Sequence, residues 1–200
     1  MLEAIHSCTG LEPAMYSDFL TPCSMVLLLV FLVGILLAWL NSLGSQRSWA
    51  KSWQDLAART GLAYMETTHG PGLSGMYGGR IISLLGSRRS GMSVLLSTDN
   101  HYNNHLTLKP RGASGNPNQP VDKLFSVDCK SSEFKNQLFG STTIIQRIAP
   151  LAGQSHASLT LSGEALNFKT PRVILNVQEL IDTLDILCDF SKAIEEVKLT

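Results

Sequence analysis

The sequence predicts an α+β protein: an antiparallel sheet of about six strands packed with an N-terminal tryptophan-bearing helix and a long C-terminal amphipathic helix, preceded by one transmembrane helix. Three features carry this reading. Met25–Leu40 is apolar throughout apart from Gly34. Short alternating segments flank Gly78-Gly79, and paired glycines accept the positive φ angles of a primed hairpin turn. Asn176 and Glu179 open a final segment whose apolar residues keep helical spacing.

Three regions follow: a short acidic tail over 1–22, a transmembrane helix over 23–41 and a globular domain over 42–200. The tail holds Glu3, Glu12 and Asp18, and no Lys or Arg precedes Arg47. With its mildly polar lead-in from Phe19, the apolar run gives about 20 uncharged residues, enough at 1.5 Å per residue to cross a hydrocarbon core of about 30 Å. A cleaved signal peptide would need a basic n-region and a small-residue cleavage site, and neither is present. Arg47, Lys51 and Arg59 all follow the run. The positive-inside rule therefore puts the N-terminus outside and the C-terminal domain in the cytoplasm.

Sixteen Lys and Arg balance sixteen Asp and Glu. That leaves no basic field for nucleic acid. Cys129 and Cys188 lack any metal-type spacing, and two isolated thiols in a domain of this size read as ordinary buried cysteines; a disulfide between them is the alternative.

In the globular part, Trp49, Trp53, Leu56 and Ala57 share one face of a helix over Ser48–Thr60 that stops at Gly61. Packing on the sheet is the expected role of this face, with a membrane-surface helix as the alternative. Eight segments are strand candidates: Leu62–Thr67, Leu73–Tyr77, Arg80–Leu85, Met92–Thr98, His105–Lys109, Leu124–Val127, Ser158–Ser162 and Ala165–Phe168. About six of them are expected to form the sheet. Gly70-Pro71-Gly72 reads as a turn, and Pro110–Pro120 as an exposed connection. Ser131–Leu138 and Thr142–Ala149 read as short helices, the second closed by Pro150. In the final helix Val177, Leu180, Ile181, Leu184, Leu187, Cys188, Ile194 and Val197 form the apolar side. Glu179, Asp182, Asp185, Asp189, Glu195 and Glu196 populate the other, expected to be solvated, with docking of a basic protein partner as the alternative.

Trp53-x-x-Leu56-Ala57-x-x-Thr60-Gly61-Leu62, Gly75-x-Tyr77-x-Gly79-Arg80 and the closing acidic helix together resemble a group of uncharacterised bacterial proteins. In these, a short N-terminal anchor precedes a small α+β domain of unknown function. The resemblance covers most of Trp49–Val197. It implies architecture and membrane attachment and brings no catalytic residue with it.

No cofactor, metal or catalytic motif outweighs its structural alternative. Gly70-Pro71-Gly72-Leu73-Ser74-Gly75 matches G-x-G-x-x-G in form, but a hairpin follows where a dinucleotide fold needs a helix. His101 and His105 stand four apart in an asparagine-rich loop, not on a helix. His69 and His156 lie in turn-like segments. Ser74 lacks the last glycine of a nucleophile elbow and Ser90 merely follows Arg88-Arg89, a doublet that faces solvent or anionic lipid. The expected function is a non-catalytic interaction or structural module held at the cytoplasmic face. A small-ligand or lipid sensor with a pocket between helix and sheet comes second, and an enzyme third.

Overall fold

The computed structural model describes residues 17–87, 89–111 and 120–197, with side chains over 25–39 and from 49 onward. Residues 1–16 of the acidic tail, Arg88 and most of the Pro110–Pro120 connection lie outside the described residues. The chain divides into two compact units, the first ending at Gln46 and the second beginning at Arg47.

Helix α1 runs over Ser17–Thr60 as one element, where the sequence suggested two. In the first unit every large apolar side chain from Met25 to Trp39 is 45–76% exposed. Among the described residues no helix is long and apolar enough to cross a membrane. The described run Met25–Trp39 falls short of the roughly 20 residues a span requires, and Cys23, Ser24, Leu40 and Asn41 have side chains outside the described set. The structure thus shows an exposed apolar helix, and the span over 23–41 stands as an expectation from sequence.

The second unit is built on a single antiparallel sheet. Its strands are β1 (Ala63–Thr67), β2 (Gly70–Tyr77), β3 (Arg80–Ser87), β4 (Gly91–Ser97), β5 (Leu106–Pro110), β6 (Phe125–Cys129), β7 (Ser158–Ser162) and β8 (Ala165–Thr170). The order is β1-β2-β3-β4-β8-β7-β5-β6. All eight candidates pair, correcting the expected six. The reason is non-local: the β7–β8 hairpin inserts between β4 and β5, which gives even the short strand β6 a place beside β5.

Gly78 and Gly79, at φ 57° and 80°, form the expected tight turn between β2 and β3. Gly70-Pro71-Gly72 is not a turn, however. Thr68-His69 makes the turn, the Thr67 hydroxyl donating to Gly70 O at 2.7 Å, and Gly70 starts β2. A Cβ on Gly70, at φ 144°, would lie 2.4 Å from Gly86 O. The glycine is there for close backbone approach. Pro71 is tolerated because it sits at the start of the strand, before pairing with β3 begins at Gly72.

Between β6 and β7 lie a helix α2 (Ser132–Leu138) and a helix α3 (Thr142–Ala152). Pro150 does not close α3 as expected; the helix continues for two residues, since a proline in the last turn removes only one hydrogen bond. Helix α4 (Val177–Glu195) closes the fold, and Asn176 Oδ1 accepts from the backbone N–H of Gln178 and Glu179 at 2.9 and 3.3 Å.

Strand alternation puts Leu73, Ile82, Leu84, Val94, Leu96, Leu106, Leu108, Leu159, Leu161, Leu166 and Phe168 on one buried face. Trp53 and Leu56 from α1 and Leu180, Leu184, Leu187 and Ile194 from α4 join the same core. The Trp53 indole N–H donates to Ile174 O at 3.3 Å, and the ring is fully buried beside Gly86, where a Cβ would come within 2.9 Å of it. The opposite face of the sheet carries Ser74, Ser83, Ser93, Thr160 and Asn167, with Met65, Met76, Ile81, Leu85 and Leu95 exposed among them.

Helix α4 is also fastened by polar contacts. Arg80 Nη1 and Nη2 meet Glu195 Oε1 and Oε2 at 2.5 and 2.7 Å, and Glu195 Oε1 further accepts from Asp99 N and the Thr98 hydroxyl. Tyr77 donates to Asp185 Oδ1 at 2.6 Å, and Arg147 of α3 pairs with Asp189. The acidic side expected to be wholly solvated therefore turns three of its carboxylates onto the domain.

Two outcomes are expected. Trp53→Ala removes a fully buried ring and costs about 3–5 kcal/mol of stability, read from denaturant unfolding in neutral detergent. The Arg80 guanidinium holds Glu195 below its ordinary value of 4.5. Its contribution is therefore fully present above pH 4.5 and is lost as pH falls through the folded value. Glu195→Gln should lower stability at neutral pH and flatten the acid limb of a stability–pH profile; an unchanged acid limb contradicts the assignment.

Candidate functional site

A cavity of about 500 Å³ lies where three chain segments meet. Pro150 and Leu151 come from the last turn of α3 and Gln154 from the turn after it, Thr170, Pro171, Arg172 and Ile174 from the end of β8 and the chain leaving it, and Glu179, Asp182, Thr183 and Ile186 from the first turns of α4. The spacing 179, 182, 183, 186 is one helical face, and Pro171 turns the chain out of the sheet.

The floor is apolar and well fixed. Leu151, Ile174 and Thr183 are buried. Thr183 donates its hydroxyl to Glu179 O at 2.7 Å within α4, and the Ile174 carbonyl accepts from Trp53, which ties that wall segment into the core. One floor group is unlike the rest: Gln154 Oε1 is buried and has no donor among the described residues. A buried acceptor left without a donor costs about 1–3 kcal/mol. At the rim stand an exposed Arg172, a half-buried Glu179 and an exposed Asp182. None of the ion pairs among the described residues joins Arg172 to either carboxylate. Gln178 donates to Asp182 Oδ1 at 2.9 Å. Beside its one serine, Ser155, the lining has no histidine, cysteine or lysine. It supplies hydrogen bonds and charge of both signs rather than a nucleophile with its base.

The residues singled out in the sequence do not converge there. His101 Nδ1 lies 2.9 Å from Asp99 Oδ1 on an exposed loop, and His105 immediately precedes β5. Among the described residues no group of histidine, cysteine and carboxylate side chains is placed to hold a metal. Cys129 on β6 and Cys188 on α4 are free thiols. Burial pushes both thiol pKa values up, opposed at Cys188 by the Arg80 charge. Cys188 Sγ is 3.9 Å from Tyr77 O, and burial followed by the Asp185 hydrogen bond raises the Tyr77 hydroxyl. The G-x-G-x-x-G stretch is strand β2, with Ser74 on the open face. Ser90, Arg89, His69 and His156 occupy exposed turns.

Sequence reasoning missed the cavity because its polar residues are scattered over 154, 172, 179 and 182 and share no motif. Pro171, directly after the last residue of β8, was the available signal.

No family model and no curated protein sequence matches this chain. Among solved structures it is similar to the crystal structure of the mycobacterial trehalose monomycolate transport factor A, TtfA, at 10% sequence identity and a TM-score of 0.59; the match covers 78% of this chain and 99% of that one. At this identity the likeness is one of fold.

Proposed function

We propose that this protein is a membrane-anchored, non-catalytic accessory of lipid transport. Residues 23–41 insert in the bilayer and the globular unit stands at the cytoplasmic face. The observation that carries the anchor is the helix surface itself: Met25–Trp39 presents large apolar side chains to the outside all round and no charge, which in water would be an aggregation surface and in lipid is a matched one. Arg47, Lys51 and Arg59 on the C-terminal side give the orientation. The resemblance to anchored bacterial α+β domains points the same way.

The lipid-transport reading is supported by the fold shared with a trehalose monomycolate transport factor over nearly all of that protein. It is also supported by two features of the domain: the apolar patch on the open sheet face, where Ile81 and Met76 are more than 60% exposed, and a cavity with an apolar floor. A protein partner meeting α4 would find Asp182 and Glu196 at its surface, because Asp185, Asp189 and Glu195 are engaged within the domain. The cavity also favours the second reading, a sensor of a small ligand.

Membrane fractionation tests the anchor. The full chain should stay with the membrane through alkaline carbonate extraction, and deletion of residues 23–41 should release it. Leu32→Arg, which places a charge at the middle of the run at a cost of about 2.5–3.5 kcal/mol, should shift a large part to the soluble fraction. A C-terminal reporter active only in the cytoplasm should report activity. Recovery of the full chain as a soluble protein, or activity only of a reporter that works outside, overturns the reading.

A further inference from the structure

The cavity at the α3–α4 end has chemistry specific enough to name what it takes. Two of its rim charges, the Arg172 guanidinium and the Glu179 carboxylate, are joined to no opposite charge among the described residues. Asp182 adds a second carboxylate one turn along α4. Gln154 Oε1 lies buried with no donor among the described residues. A ligand complementary to this set has an anionic group for Arg172, a cationic group for Glu179 and Asp182, and an N–H or O–H donor for Gln154.

A simple anion leaves both carboxylates uncompensated, and a simple amine leaves the guanidinium so. A neutral apolar molecule satisfies neither and leaves the glutamine oxygen orphaned. We propose that the cavity binds a zwitterionic aminoalkyl phosphate, the chemistry of an ethanolamine-type phospholipid headgroup. The phosphate lies against Arg172 and the ammonium against Glu179 and Asp182, with one of its N–H bonds directed at Gln154 Oε1. The volume of about 500 Å³ accommodates a headgroup and its glycerol, not the acyl chains, which leave by the open mouth. This deepens the lipid reading by naming a headgroup class.

Calorimetric titration tests it, using the full chain in a neutral glycoside detergent. The probes are phosphoethanolamine, dihexanoyl phosphatidylethanolamine, dihexanoyl phosphatidylcholine and inorganic phosphate. The ethanolamine probes should bind, and Arg172→Gln and Glu179→Gln should each weaken them about tenfold, the loss of one charge-assisted hydrogen bond. Both residues lie at the rim outside the core, so the variants should unfold as the parent does. The choline probe keeps the charge but has no N–H, and should bind about tenfold more weakly. Tighter binding of the dihexanoyl lipid than of free phosphoethanolamine assigns the site to a membrane lipid. Equal binding assigns it to a soluble aminoalkyl phosphate, and either result upholds the site chemistry.

No binding by either ethanolamine probe overturns the proposal. So does equal affinity for the choline probe or for inorganic phosphate, or binding unaffected by the two substitutions. If the probes fail while the chain still resists carbonate extraction, the headgroup assignment falls and the anchor stands; the converse pattern removes the anchor and leaves the site.

Discussion

Trp53 ties together the parts of the globular unit on which everything else rests. Its ring is fully enclosed at the end of α1, lies against Gly86 on β3, and donates a hydrogen bond to Ile174 in the segment between β8 and α4. One side chain thus fixes the entry helix, strand β3 of the sheet and one wall of the cavity. An indole can do this because it combines a large apolar body with a single donor, and burial is favourable only where that donor is met. Ile174 O meets it. Gly86 is the matching requirement on the sheet, since a side chain there would occupy the ring's place.

The second constraint is that the sheet is covered on one face. Antiparallel sheets tolerate this when the other face is polar, and here it is mostly serine, threonine and asparagine. The departure from that rule is local. Met65 and Leu85 flank Gly72 across β1, β2 and β3, and Met76, Ile81 and Leu95 continue the apolar surface. The covered face is held from the far side by α4, through the apolar stripe from Leu180 to Ile194 and through the Arg80–Glu195 and Tyr77–Asp185 contacts. Those contacts explain why an acidic helix need not be a docking surface.

Most of the fold was legible because it is written in local chemistry. The Gly78-Gly79 turn, the Asn176 cap and the Trp53–Leu56 face each depend on a few neighbouring residues, and each lies where the pattern put it. What escaped is non-local. Insertion of the β7–β8 hairpin between β4 and β5 leaves no trace in any short window, so the strand count came out low. Gly70-Pro71-Gly72 carries strong turn residues, yet its glycines serve close packing against Gly86 and Leu85, which the sequence alone cannot distinguish from a bend. The cavity was invisible for the same reason, being assembled from the exits of α3 and β8 and the start of α4.

An exposed apolar helix, an apolar patch on the open sheet face and a cavity with charges of both signs support the proposal that this domain handles lipid. Photo-crosslinking tests this most directly. The full chain is reconstituted in vesicles containing phosphatidylethanolamine with a photoreactive group near its headgroup, and the labelled peptides are mapped. The account predicts label on residues 25–39 and, separately, on the peptides bearing Gln154, Arg172 and Glu179, the second set suppressed by excess unlabelled ethanolamine lipid. Label confined to the apolar helix, with the globular unit unmarked, would contradict it.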